Sequence, residues 1–473
     1  MSTNSTRSAR SQRAARAAKT TQALPVLNPR AAGIDIAATE LYVAVPQDKA
    51  QQPVRAFGTF TRDLHRLADW LMECGVETVA MESTGVFWIP LFQVLEARGF
   101  QVCLVNARHV KNVPGRKSDV GDCAKASEPQ PLQYLHACGL LRASFRPEQE
   151  VCALRSLLRH RDTLITYAAA HVQHMHKALT QMNLQLHHAI SDITGKTGLA
   201  ILEAILAGER DPNRLAQLRD FRIKAKAETV EKSLEGHWKE EHLFVLEQAL
   251  AAWRHYQQLI GACDQKIEQL LIRFDSQKDP EKEPLPPSTC SHRKPQRNEA
   301  RFVHTDLRTQ MYRILGVDLT QVPSLQSASI HSLFAELGRD LSAFPTVKHF
   351  CSWLGLCPDN RVSGGKVLSV KTRDVRSRAA KTLRLAAQTL HHSHSALGEF
   401  YRRMRARLGA PKAITATAHK LARIIYHLLT TGEAYDESVF ARSEERYQQR
   451  RLLRLHREAA ALGYELALAT PVS

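Results

Sequence analysis

The sequence predicts three successive architectures: an α/β domain near the N-terminus, a long antiparallel helical coiled coil, and a mostly helical C-terminal domain. Three observations carry this reading. Short apolar β-rich runs alternate with helical stretches over residues 31–150, apolar residues then step by three and four over residues 151–274, and prolines crowd residues 275–305. At 473 residues the chain can hold two or three domains with cores of their own.

Residues 1–30 contain Arg7, Arg10, Arg13, Arg16, Lys19 and Arg30 and no acid, which predicts a disordered basic arm offering at most loose contact to phosphates. The first apolar run, Gly33-Ile34-Asp35-Ile36-Ala37, leads into Leu41-Tyr42-Val43-Ala44-Val45 and is interrupted by one carboxylate. Burying that charge without a partner is costly. A second run, Thr78-Val79-Ala80-Met81-Glu82, ends on an acid and passes through Ser83-Thr84-Gly85 into a helical stretch from Phe87 to Arg98. Glu82 is therefore expected at the carboxyl end of a strand, where open α/β sheets place their ligands.

A third strand, Gln101 to Val105, precedes Lys117-Ser118-Asp119-Val120-Gly121-Asp122, whose three-residue spacing puts two carboxylates on one helical face. Like charges 4 Å apart repel by about 4 kcal/mol at an effective dielectric of 20, and a hard divalent cation removes that repulsion. Taken singly, each acid has an ordinary reading as a turn, a cap or a solvated helix face. Their order and strand context together point to a shared Mg²⁺ or Mn²⁺ site. After Asp122, the segment Cys123 to Pro131 carries Pro129 and Pro131, and proline in a helix interior costs about 3 kcal/mol.

Beyond residue 150, Ala168, Val172, Met175, Leu179, Met182 and Leu186 form a heptad seam. Leu243, Leu246, Leu250, Trp253, Ile260, Ile267, Leu271 and Phe274 continue it, with breaks at Gln257 and Asp264. Glycines at 195, 198 and 208 punctuate a helical insert between the two long helices. The seam serves either one subunit or a dimer. Pro280, Pro284, Pro286, Pro287 and Pro295 mark residues 275–305 as a linker, so the C-terminal domain is expected over 306–440, followed by a charged helix or tail over 441–473.

Within that domain the loop Cys357-Pro358-Asp359-Asn360-Arg361-Val362-Ser363-Gly364-Gly365-Lys366 is rich in turn formers, and its two glycines would let backbone approach a phosphate. From Arg361 to Arg423 fifteen Lys or Arg face two acids, Asp374 and Glu399, a difference of +13 within a whole-chain formal charge of +18. Such density is an electrostatic footprint for nucleic acid, and Arg361, Lys366, Lys371, Arg373, Arg376 and Arg378 are the candidate contacts. Nine scattered cysteines without a C-x-x-C pair argue against a disulfide framework or a zinc knuckle. No run of eighteen apolar residues and no apolar leader is present, so the expectation is a soluble protein of the reducing cytoplasm.

Gly33-Ile34-Asp35, Met81-Glu82-Ser83-Thr84-Gly85, Lys117-Ser118-Asp119-Val120-Gly121-Asp122 and Asn360-Arg361-Val362-Ser363-Gly364-Gly365-Lys366 together resemble the motifs of the DEDD transposases of the IS110 insertion-sequence family. The similarity runs from Ala32 to Glu444, and the blocks Trp353 to Gln388 and Arg402 to Leu429 resemble that family's C-terminal transposase domain. The resemblance implies an RNase H-like (RuvC-like) N-terminal domain in which Asp35, Glu82, Asp119 and Asp122 bind Mg²⁺. It also implies Ser363 as a nucleophile on DNA, a noncoding bridge RNA, a homo-oligomeric synaptic complex (dimer or tetramer) and a bacterial, nucleoid-associated setting.

A serine without an adjacent base needs metal assistance, so Ser363 and the acids are expected to serve one reaction. Arg361 and Lys366 flank the serine and suit developing phosphorane charge or plain backbone contact. Pro323-Ser324-Leu325-Gln326 replaces the Gly-containing hairpin turn of many relatives, which puts one DNA-backbone contact in question. Two rival readings stay open: a junction resolvase that needs the acids but not Ser363, and a non-catalytic nucleic-acid-binding derivative.

Overall fold

The computed structural model describes residues 25–83, 85–106, 110, 129–288 and 298–465. The expectations for Asp119 and Asp122, for Cys123 to Glu128 and for the basic arm up to residue 24 lie outside these. The chain divides into two compact units, residues 1–146 and 147–473.

The first unit is built on β1 (Ala31–Ile36), β2 (Glu40–Ala44), β3 (Val54–Gly58), α1 (Thr61–Glu73), β4 (Thr78–Glu82), α2 (Trp88–Ala97), β5 (Gln101–Val105) and α3 (Pro129–Ala137). The strands form one sheet in the order β3-β2-β1-β4-β5, with β1–β2 and β2–β3 antiparallel and β1–β4 and β4–β5 parallel. Alternation sorts the side chains. Ile34, Ile36, Leu41, Val43, Val79 and Met81 face Leu64, Leu67 and Leu71 of α1 and Leu91 and Leu95 of α2. In α1, Leu64, Leu67, Ala68 and Leu71 recur at helical spacing and are all buried.

The opposite face carries a smaller core of Ala80, Val105, Val110 and Leu132, the last on α3. Pro129 and Pro131 are among the first described residues of α3, and the segment that precedes them lies outside the described residues. Of the residues expected to be disordered, 25–30 are described, and there the Leu27 and Asn28 N–H groups both donate to the Ala137 carbonyl at 2.8 Å.

In the second unit, α4 (Gln149–Gln181) and α9 (Glu240–Arg273) are the long helices, joined through α5 (Leu186–Ala189), α6 (Lys196–Leu206), α7 (Pro212–Gln217) and α8 (Ala227–Lys232). Contacts fix their sense as antiparallel. Arg161 meets Asp264, Leu164 and Ala168 pack with Ile260, and Met175 and Leu179 share a core with Leu246 and Leu250. Asp264 does not break the packing: it is 4 % exposed and takes Arg161, 5 % exposed, in a bidentate pair at 2.5 and 3.2 Å.

The chain after residue 297 is tied to this helix pair. Arg161 also donates to the Asn298 and Glu299 carbonyls, and buried Glu268 accepts from the Val303 and His304 N–H groups at 3.0 and 2.8 Å. The remainder is α10 (Leu307–Leu315), α11 (Ser327–Leu337), α12 (Val347–Trp353), the hairpin β6 (Arg361–Ser363) and β7 (Lys366–Ser369), α13 (Arg378–Thr389), α14 (Ala396–Leu408), α15 (Ala410–Thr431) and α16 (Ala441–Ala461). Arg155 and Arg159 of α4 both bind Glu336 of α11, which joins the long helices to this helical region.

Candidate active-site elements

The acid site of the first unit starts at the sheet's register. Ile34 pairs with Met81 across parallel β1 and β4, so the next residues, Asp35 and Glu82, follow in step on adjacent strands. Ile34 and Ile36 face the large core, which places Asp35 on the α3 side, as Glu82 is by its pairing with Val105. Neighbouring strands lie about 4.8 Å apart, so two carboxylates share one end of the sheet. Both are half-buried. Burial first, and the Glu82 charge second, raise the Asp35 carboxyl above its ordinary range, while a hydrogen bond from the Ile36 N–H opposes them.

Local structure holds these ends in place. The Ser83 N–H donates to the Val105 carbonyl at 2.9 Å, which pins the end of β4 to β5. Gly85 then turns the chain at φ +57, a conformation that favours glycine, and its carbonyl accepts from the Trp88 indole at 3.2 Å. At the other end of β4, on the α3 side, Thr78 Oγ1 bonds His136 Nε2 at 2.8 Å, and burial pushes that imidazole below its usual range. Among the described residues no group of three or more His, Cys, Asp or Glu is placed to hold a metal, and Asp119 and Asp122 lie outside them.

The serine element of the second unit begins at the end of α12. Gly355, at φ +66, ends the helix, and a Cβ there would stand 2.7 Å from the Val375 side chain. Pro358 bridges to Thr372 and the Asp359 N–H donates to the Lys371 carbonyl at 2.9 Å, closing the base of the hairpin. At its tip Gly364 and Gly365 both have positive φ, +54 and +76, as a two-residue type I′ turn requires. These glycines therefore have a turn-forming role, and the phosphate approach expected of them is not needed to explain them.

Ser363 is exposed and stands in register opposite Lys366, so the hydroxyl and the lysine stem share one hairpin face. Val362, Val367, Leu368 and Val370 are also exposed, each by more than half. The basic candidates separate into two kinds. Lys366, Lys371, Arg373, Arg376 and Arg378 are all exposed, but Arg373 donates to the carbonyl and hydroxyl of Ser352, and Arg378 pairs with Asp162 on α4 at 2.8 Å. Arg373 thus holds the hairpin base to α12, a role that charge density alone did not reveal.

The position flagged at Ser324 is unusual in its backbone. It is one of two non-glycine residues with positive φ among the described residues, at +78, and its buried Oγ has no hydrogen-bond partner.

Comparison with known families places both elements. Residues 32–184 match the DEDD transposase model of the IS110 type, and residues 318–402 match the transposase model of the IS116/IS110/IS902 family. No curated protein matches the chain. The first stretch contains Asp35, Glu82, Asp119 and Asp122, and the second contains Ser363 and the exposed cations beside it. A DNA-binding transposase follows from this pair of matches, and the chain belongs to the IS110 family of transposases.

Proposed function

We propose that this transposase cuts and rejoins DNA through a phosphoserine intermediate at Ser363, with Mg²⁺ held by Asp35, Glu82, Asp119 and Asp122 and a noncoding RNA guiding target choice. The observation that carries the reading is the placement of Asp35 and Glu82 side by side at the ends of parallel strands, where their repulsion calls for a cation. The strand order β3-β2-β1-β4-β5 supports an RNase H-like first unit. All four candidate donors are hard carboxylate oxygens, which suit Mg²⁺ or Mn²⁺. Bound there, the ion would polarise a scissile phosphate and stabilise the departing oxygen.

The chain's own residues supply the rest. Ser363 Oγ gives up its proton and bonds to phosphorus as the bridging P–O bond breaks, and the cut strand departs as a hydroxyl. A different strand's hydroxyl then displaces Ser363 and restores a phosphodiester, so no external energy source is required. Lys366, across the hairpin from Ser363, sits where its ammonium can meet a phosphate oxygen. The helix pair α4–α9 reads as a coiled coil, and a homo-oligomer and a guide RNA complete the proposed assembly.

The test is cleavage and strand exchange on DNA carrying the element's ends, using protein with the RNA that co-purifies from its host. Activity should require Mg²⁺ or Mn²⁺, be lost in Asp35→Asn and Glu82→Gln, and fall when the RNA is removed. Metal-independent exchange, or unchanged activity in Glu82→Gln, would refute the acid assignment. Cleavage that survives Ser363→Ala would favour the junction-resolvase reading.

A further inference from the structure

We propose that the cleft between α4 and α9 receives one unstacked nucleobase from a bound nucleic-acid strand. The proposal rests on the nucleic-acid-handling reading above and adds a site to it.

The cleft has a volume of about 800 Å³ and lies within the second unit. Its origin is visible in the heptad pattern. At the seam itself α9 offers Gln257 and α4 offers Ala168 in place of bulky apolar residues, and beside them the exposed Gly261 and Ala169 are small, so the paired helices leave a groove. A Cβ built on Gly261 would meet nothing within 4 Å. Ala169, Gln173, Gln257, Gly261 and Gln265 are exposed, so the cleft is an open groove, and its volume falls in the range of about 300–1,000 Å³ typical of ligand pockets. Glycine inside a helix costs about 1 kcal/mol relative to alanine, so Gly261 keeps the cleft open at the expense of stability.

The lining selects the class of ligand. Trp253 and Ile260 give apolar walls, and Trp253 is only partly buried where it packs against them. Gln173, Gln257 and Gln265 supply amides, each with a donor and an acceptor, the combination that reads nucleobase edges. The floor is the buried Arg161–Asp264 pair, already fixed by its own hydrogen bonds. Charge argues against a free phosphate or other anion: Asp192, Asp264 and Glu299 outnumber Arg161 and Arg301 around the cleft. A planar, neutral group with hydrogen-bonding edges and a π-face fits, and an unpaired base has these properties.

The experiment uses the full chain and a single-stranded 12-nucleotide probe containing 5-iodouracil, prepared as RNA and as DNA to distinguish the source of the base. Irradiation should attach the probe to Trp253. Gly261→Leu, which fills the cleft, should remove that adduct and weaken binding about tenfold without lowering the thermal midpoint. Replacing the crosslinking nucleotide by an abasic one should weaken wild type equally and leave Gly261→Leu unaffected. Gln257→Met, which removes an amide at the exposed rim without filling the cleft, should weaken binding and serves as the second variant if Gly261→Leu fails to fold. No adduct at Trp253, or unaltered affinity in a folded cleft-filling variant, would overturn the proposal. Salt-sensitive binding that persists through both variants would leave the nucleic-acid reading standing while removing the cleft from it.

Discussion

Replacing Ser324 by glycine should make the second unit more stable. An L-residue in the left-handed region costs about 1–2 kcal/mol, and Ser324 sits there at φ +78. Its buried Oγ has no partner, and an orphaned buried hydroxyl costs about 1–3 kcal/mol. Against these, glycine's greater freedom in the unfolded chain costs about 0.5–1 kcal/mol. The balance is a gain of about 3 kcal/mol. Ser324→Ala separates the two contributions, because it deletes the hydroxyl but keeps the strained backbone, and should gain about 2 kcal/mol. Urea denaturation of the full chain, followed by circular dichroism, reads both variants. A Ser324→Gly protein no more stable than wild type, or an alanine variant equal to the glycine one, would show that the turn carries no backbone strain.

Three further outcomes follow from the geometry. Asp35→Asn should stabilise metal-free protein at pH 7 by about 1 kcal/mol, because strand-spaced charges repel by about 3 kcal/mol at a dielectric of 20 and water screens most of it. Since the folded Asp35 carboxyl is raised, wild type has its full relative stability below the unfolded value near pH 4 and loses it as pH rises through the folded one. Denaturation in EDTA at pH 3 and pH 7 should show a gain at pH 7 only, and an equal gain at both would contradict it. Asp264→Ala strands the Arg161 guanidinium in the helix pair and should cost about 3–5 kcal/mol in urea denaturation, whereas pairing Arg161→Met with Asp264→Leu should be close to neutral. Charge reversal of Lys366, Lys371 and Arg376 together should lower the slope of log affinity against log salt by about 3 on duplex DNA, while removing residues 1–24 should change it less; a larger change from the arm would move the principal contact there.

The sheet was legible because each strand is short, apolar and bounded by turn residues: Gln101 to Val105 is a strand over those same residues, and Glu82 ends β4 as its position implied. The helix pair was legible for the same reason, since Met175, Leu179 and Met182 recur at heptad spacing and are buried. Asp264 was not, because an acid in a seam reads as an interruption until its partner, 103 positions away, is known. The Gly364-Gly365 pair was open to two meanings, and only positive φ at both positions identifies the turn. Arg373 shows the limit of counting charge: its guanidinium is spent on Ser352, and nothing in a run of basic residues separates such an anchor from a free contact.

The central claim is that Ser363 is the nucleophile, and the most direct measurement is the covalent protein–DNA adduct. The chain, any RNA that co-purifies with it and DNA carrying the element's ends would be incubated with Mg²⁺, quenched in denaturant and digested for peptide mapping. Wild type should yield an adduct on the peptide containing Ser363, which disappears with EDTA and in Ser363→Ala while DNA binding is retained. An adduct on another residue, or strand exchange by Ser363→Ala, would contradict the account.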